Sequence, residues 1–225
     1  YVPAYGAAGE STILQAINAK IAHDLPAAEE HFRALAGPGR PLAWATWRDY
    51  PFRALATLAR GADLIVASRQ SRTEGNAYAA NPADLVLRAG APVLLAADGE
   101  AEFRGDHVIV AWKDTRESRR ALTDGLPFLR RAKSVNVIVV SDDSPDDKPD
   151  DISRRLAGHG VDASVDVIPR GGRPVSAVLQ AAAERCSADL IVAGAYGRTR
   201  VSEWALGGVT KDLIATSPAF LLLSH

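Results

Sequence analysis

Residues Ala188 to Gly197 read ADLIVAGAYG, and this stretch decides the fold. The run from Asp189 to Ala193 has strand length and is apolar at every position after the acid. A strand apolar at successive positions has both faces covered, which is the pattern of a parallel sheet between two helical layers. Gly194 and Gly197 then punctuate the chain at the carboxyl end of that strand, where open parallel sheets bind ligands. After nine intervening residues Gly207-Gly208-Val209-Thr210 opens an apolar stretch that reads as a helix to about Ser217.

Working outward, the half from Gly105 to His225 reads as five strand–helix units. Val108 to Trp112 is the first strand, followed by a helix from Arg116 to Ala132. Val135 to Val140 is the second, leading through the acidic loop Asp142 to Asp151 into a short helix ending near Ala157. Ala163 to Ile168 is the third strand, and Pro174 to Cys186 opens on proline with apolar residues at helical spacing. Asp189 to Ala193 is the fourth, and Ala219 to Leu223 is the fifth.

The hexapeptide ADLIVA also occupies Ala62 to Ala67, 126 residues earlier, and Pro92 opens PVLLA 126 residues before Pro218 opens PAFLLL. Two apolar strands matched at one offset indicate duplicated domains. The polar stretch Ala97 to Asp106 is the linker, so the expected domains are 1–98 and 105–225. In the first half Glu10 to Ala36 reads as a helix capped by Ser11 and kinked or divided at Pro26. Leu42 to Arg48 reads as a strand, with Trp44 and Trp47 on opposite phases, so at least one of them should face outward. Pro51 to Arg60 is a helix, and Asp63 to Ala67 and Val93 to Ala96 are strands. Shifted back by 126, Val108 falls before Tyr1, and the first half reads without counterparts of the first two strands of the second half. The first copy is therefore expected to be incomplete, with roughly 40 to 60 further residues in the natural gene. Without them Leu42 to Arg48 should be displaced, disordered or paired with another chain.

The glycine loop suits a phosphate. Glycines admit close backbone approach, and the amides of Gly208, Val209 and Thr210 stand at a helix start, where free N–H groups and the helix dipole favour an anion. Thr210 can add a hydroxyl, and Arg198 and Arg200 can add charge. The plainer reading is that the glycines only shape a turn.

The spacing of Gly194, Gly197 and Gly207, with five strands in order over some 120 residues, resembles the universal stress protein family. The resemblance implies a doubly wound parallel sheet of order 3-2-1-4-5, in two tandem copies that pack as a pseudo-dimer, with a homodimer as a further assembly. It also implies a site for ATP or a related adenine nucleotide. Gly194, Gly197, Gly207, Val209 and Thr210 match the family's phosphate loop, whereas Gly208 stands where the family has Ser or Thr. Val140 matches the residue whose backbone faces adenine, and Ala111 would lie beside it. Trp112 ends the first strand, where its ring can wall the adenine side. The family commonly has an aspartate, a variable residue and a serine after that strand; here the positions hold Lys113, Asp114 and Thr115. Lys113 can meet a phosphate or pair with Asp114. After ADLIVA the first half reads Ser68-Arg69-Gln70-Ser71, a degenerate copy without the loop.

Composition narrows the function. About half of the 225 residues are apolar and the formal net charge is -1, so no global field recruits nucleic acid or an anionic membrane. No apolar run is long enough to span a bilayer. The one cysteine, Cys186, suits a reducing compartment and reads as a buried structural thiol; the expected location is cytoplasmic. No metal site is expected: the five histidines are scattered, His107 and His159 read as surface residues, and the acidic loop reads as solvated. The pairs Arg119-Arg120 and Arg130-Arg131 also read as solvated, and Trp204 can cover the pocket or pack on the sheet edge. With no base or metal carboxylate evident near the loop, the leading expectation is a nucleotide-responsive binding module without strong catalysis. The alternatives are a ligand-free scaffold with a decayed site and a weak ATP hydrolase.

Overall fold

The computed structural model describes residues 5–36, 39, 41–47, 49, 51–69, 80–97, 102–142, 150–197 and 208–225. The chain divides into two compact units, Tyr1–Arg48 and Asp49–His225. The strands of residues 65–96 join the sheet of the second half.

The first unit holds helix α1, Tyr5–Ala36. It begins six residues before Ser11, which lies within the helix rather than at its cap, and it continues through Pro26. Leu42 to Trp47 has no regular secondary structure and forms no strand, contrary to the sequence pattern. A strand needs a neighbour to take its backbone groups, and among the described residues none adjoins this segment. Trp44 packs on Phe32 at 5.5 Å, while Trp47 is exposed.

The second unit is built on seven strands: β1 Ile65–Ser68, β2 Val93–Ala96, β3 His107–Trp112, β4 Ser134–Val140, β5 Ser164–Ile168, β6 Leu190–Gly194 and β7 Phe220–Ser224. Across the sheet they run β1-β2-β7-β6-β3-β4-β5. The five strands from β3 onward are all parallel, with β3 between β4 and β6. β1 and β2 are parallel to each other, and β2 meets β7 antiparallel. In that one antiparallel seam Leu95 faces Leu221, the residue 126 positions later and its equivalent in the repeat.

Helices cover both faces. They are α2 Pro51–Leu58, α3 Pro82–Arg88, α4 Arg116–Leu129, α5 Asp150–Gly158, α6 Val175–Arg185 and α7 Gly208–Thr216. Alternate strand residues point to opposite sides. Ile109, Ile138, Ile191 and Leu221 pack with Leu179 of α6, Leu213 of α7 and Leu85 of α3. Val110, Val137, Val192 and Leu222 pack with Leu122 of α4 and Leu156 of α5. Each fully buried aliphatic side chain contributes about 1.5–3 kcal/mol relative to exposure, so both layers hold the sheet. Asp189, just before β6, accepts the backbone N–H groups of Asp106 and His107 at 3.0 Å and fixes the start of β3.

Candidate functional site

The site lies at the carboxyl ends of β3 and β6. β6 ends at Gly194, and the chain continues without regular structure to Gly197. The Ala195 N–H donates to the Ser224 carbonyl at 2.8 Å, and the His225 ring nitrogen Nδ1 lies 3.0 Å from the Ala195 carbonyl oxygen. The loop therefore starts from a fixed base on β7. Tyr196 takes a left-handed backbone at φ 57, a conformation rare outside glycine. Its N–H donates to the hydroxyl of Thr210 at 3.4 Å. Thr210 is buried in the first turn of α7, so its hydroxyl ties the loop to the helix.

The three described loop glycines differ. A carbon added to Gly194 would collide with the amide of Ser118 and lie 2.5 Å from the carbonyl carbon of Glu117. Gly194 is thus required by the close approach of α4 to β6, and its missing side chain points to that helix rather than to a ligand. A carbon added to Gly197 would lie 2.6 Å from Glu117 Oε2 and 3.5 Å from the Thr115 hydroxyl oxygen. A carbon added to Gly208 would meet nothing within 4 Å. Gly208 opens α7, so the amides of its first turn have no intrahelical partners. Arg198, Arg200, Trp204 and Gly207 lie outside the described residues.

Ala111 and Val140 are half-buried on one face of the sheet, together with Tyr196 and Val209. Trp112 is on the other face, buried with Leu122 and Leu156, so it does not wall the side of Ala111. The alternation of β3 requires this, since neighbours on a strand cannot share a face. Lys113 is exposed. Asp114 pairs with Arg119 at 2.5 Å rather than with Lys113. Thr115 caps α4, its hydroxyl oxygen accepting the Ser118 N–H at 3.3 Å. Arg120 donates to the Gly90 carbonyl at 3.0 Å and Arg130 to the His159 carbonyl at 3.1 Å, so these arginines link elements rather than simply facing water.

Residues 104–224 match the profile of the universal stress protein family, more than half of the chain. The chain belongs to the universal stress protein family. A universal stress protein from Archaeoglobus fulgidus superposes with a TM-score of 0.71 at 17% identity, over 94% of this chain and 78% of that one. A putative universal stress protein from Pseudomonas aeruginosa gives 0.60 at 17% identity, over 89% and 78%. No curated protein sequence matches significantly. No described helix is long and apolar enough to cross a membrane, and no cluster of metal ligands occurs among the described residues.

Two residues of this universal stress protein escape a reading from sequence. Glu117 is 6% exposed in the first turn of α4, directly behind Gly197. The expectation of no carboxylate near the loop is corrected by it. Burial opposes its ionisation, but its own backbone N–H, Arg116 and Thr115 outweigh that and hold the carboxyl below the usual glutamate range. Arg116 meets its Oε1 at 3.0 Å. In sequence Glu117 sits among polar residues after a helix cap; only the paired glycines opposite hint at what buries it. Arg69 belongs to a polar run in sequence, yet it is buried and donates to the carbonyls of Ser217 and Ala219, between α7 and β7. Burial also pushes the Tyr196 hydroxyl up, with Asp84 of α3 adding to the effect.

Proposed function

We propose that the half from residue 105 to 225 binds an adenine nucleotide and that this universal stress protein acts as a cytoplasmic nucleotide-responsive module rather than through strong catalysis. One observation carries the reading. The Gly194–Gly197 turn and the open first turn of α7 converge at the carboxyl ends of β3 and β6, beside the half-buried pair Ala111 and Val140. Backbone amides of Gly197, Gly208 and Val209 are the proposed phosphate donors, and adenine is placed against Ala111 and Val140. Arg198 and Gly207 complete the loop in this reading, and Lys113 is the cation with room to reach a phosphate. Thr210 contributes its amide, since its hydroxyl is engaged by Tyr196.

In the same reading the two halves are copies packed about a local twofold at the Leu95–Leu221 pair. An antiparallel seam that pairs equivalent residues is what a twofold axis produces.

Calorimetric titration with ATP, ADP and AMP tests the site, together with analysis of the purified protein for co-bound nucleotide. Gly208 is the position to vary, because its open surroundings accept a side chain. Gly208→Ser restores a hydroxyl donor to a charged phosphate, worth roughly 1.5–3 kcal/mol, and should tighten binding about 10-fold or more. Gly208→Asp favours the helix start while repelling phosphate, and should abolish binding without loss of stability. If neither the parent nor Gly208→Ser gives heat with any of the three nucleotides, the scaffold reading replaces this one.

The scaffold reading has its own support. Thr210, Thr115 and Asp114 are engaged within the protein, and a carboxylate stands behind the loop.

A further inference from the structure

We propose that Arg69, from the copy without a glycine loop, is a positioning residue for the nucleotide site of the other copy: it grips the far end of α7 and so sets where that helix presents its first-turn amides. The inference rests on the nucleotide reading above and deepens it. Arg69 is 5% exposed. Its Nη1 donates to the Ser217 carbonyl and its Nη2 to the Ala219 carbonyl. Two donors on one planar fork fix direction as well as distance, which a single-point donor cannot do. The residues gripped are the junction of α7 with β7. Ser217 closes α7 through its N–H to the Leu213 carbonyl at 3.0 Å, and β7 starts at Phe220.

The repeat shows that this contact runs one way. Arg69 and Ala195 are equivalent positions 126 residues apart, and the equivalents of Ser217 and Ala219 are Ala91 and Val93. Ala195 has no side-chain donor to give their carbonyls. The copy that keeps the glycine loop is thus the one whose helix is held. α7 has nine residues, about 13 Å at the ordinary rise, and it is pinned to the core by the buried Leu213, so it moves as one rigid element. Ser176 and Gln180 of α6 hold it from the side, at Asp212 and Thr216. In its first turn Thr210 receives the Tyr196 N–H, the bond that ties helix to loop. Arg69 and Tyr196 therefore act on opposite ends of one short helix, and a shift at the Ser217 end is delivered to Gly208, Val209 and Thr210. A displacement of about 1 Å takes such an amide out of hydrogen-bond range of a phosphate oxygen.

The experiment is calorimetric titration of the whole chain with AMP, ADP and ATP, run where circular dichroism shows each protein folded. Arg69→Met keeps an unbranched side chain and removes both donors. It should weaken whichever nucleotide the parent binds by roughly 3- to 30-fold. Arg69→Lys keeps the charge but gives up the two-point fork, and should fall between the parent and Arg69→Met. Leu156→Ala opens a cavity under α5 on the opposite face of the sheet. It lowers stability without touching α7 and should leave affinity within about twofold. A merely structural Arg69 would behave in the same way, losing stability and not affinity. Binding by the parent with a change of less than about threefold in Arg69→Met overturns the proposal and leaves the nucleotide reading standing. So does an equal loss of affinity in Leu156→Ala. One readout needs no variant to fold. Coupling is reciprocal, so saturating nucleotide should slow amide exchange from Leu213 to Ser217 in the parent more than in α5. Equal slowing in the two helices overturns the proposal. Absence of binding by all three nucleotides to the parent removes the nucleotide reading itself, and the role of Arg69 with it.

Discussion

Ala62 to Ala67 and Ala188 to Ala193 are the same six residues, and they end in different places. In the second copy the strand lies between β3 and β7, and Val192 is 0% exposed. In the first copy it is β1, which among the described residues is an edge strand paired only with β2, and Val66 is 66% exposed. Identical local sequence gives a strand both times. What differs is the neighbours, and they decide how much each side chain is worth and which residue can follow it. Gly194 follows the second copy and Ser68 the first. The second has a helix N-terminus pressed against it.

That contrast can be broken by exchanging the two residues. Gly194→Ser puts a carbon into the backbone of α4 at Glu117 and Ser118. Overpacking typically costs about 1–3 kcal/mol, and more where the obstacle is backbone; here about 3 kcal/mol or more is expected. Ser68→Gly, at an exposed edge position, should cost roughly 0.5–1 kcal/mol, the entropy of a glycine in a strand. Urea unfolding of the two variants decides it. A Gly194→Ser protein as stable as the parent would mean that α4 does not sit against β6 as described.

The next effect concerns the residue after that position. Arg69 is 5% exposed and donates to the Ser217 and Ala219 carbonyls, whereas the equivalent position in the second copy is the buried Ala195. Arg69→Ala leaves two carbonyls without these donors. A hydrogen bond to a charged group is worth about 1.5–3 kcal/mol, so a loss of roughly 2–3 kcal/mol is expected in the same assay. A change under about 0.5 kcal/mol would show that Arg69 does not join the two copies energetically.

Much of the fold could be read from these patterns. The five strands of the second copy fall within a residue or two of their apolar runs, because a strand covered on both sides is written in its own composition. Leu42 to Trp47 carries a comparable run and makes no strand, since pairing depends on a partner that local sequence does not contain. At the site, the loop glycines could be found by spacing, but the direction of each could not. Gly194 faces a helix, Gly197 a carboxylate and Gly208 open space. Trp112 shows the same limit: alternation says it opposes Ala111, but not which face carries a ligand. Glu117 and Arg69 are charged residues in polar stretches, and only tertiary packing buries them.

A gentler comparison uses one substitution in both copies. Val192→Ala removes two buried methyl groups and should cost roughly 2 kcal/mol, from lost transfer energy and the cavity left behind. Val66→Ala acts on a mostly exposed side chain and should stay within about 0.5 kcal/mol. Equal losses in a thermal or urea melt would mean that the outer face of β1 is covered in solution.

The smallest expected effect is one of pH, and it belongs to the second copy. The carboxyl of Glu117 is depressed in the folded protein despite burial, because its own N–H, Arg116 and Thr115 favour the charged form. A depressed carboxyl binds its proton more weakly folded than unfolded. Its contribution to stability is therefore fully present above the unfolded glutamate value and is lost as pH falls through the lower folded value. Glu117→Gln cannot titrate. The stability difference between parent and variant should accordingly be constant through neutral pH and shift against the parent as the solution is acidified below the ordinary glutamate range. Arg116, largely in water, limits the size of this shift. Parallel urea melts across that range measure it. A difference that does not change with pH would place the Glu117 carboxyl in contact with solvent, and the fixed charge behind Gly197 would go with it.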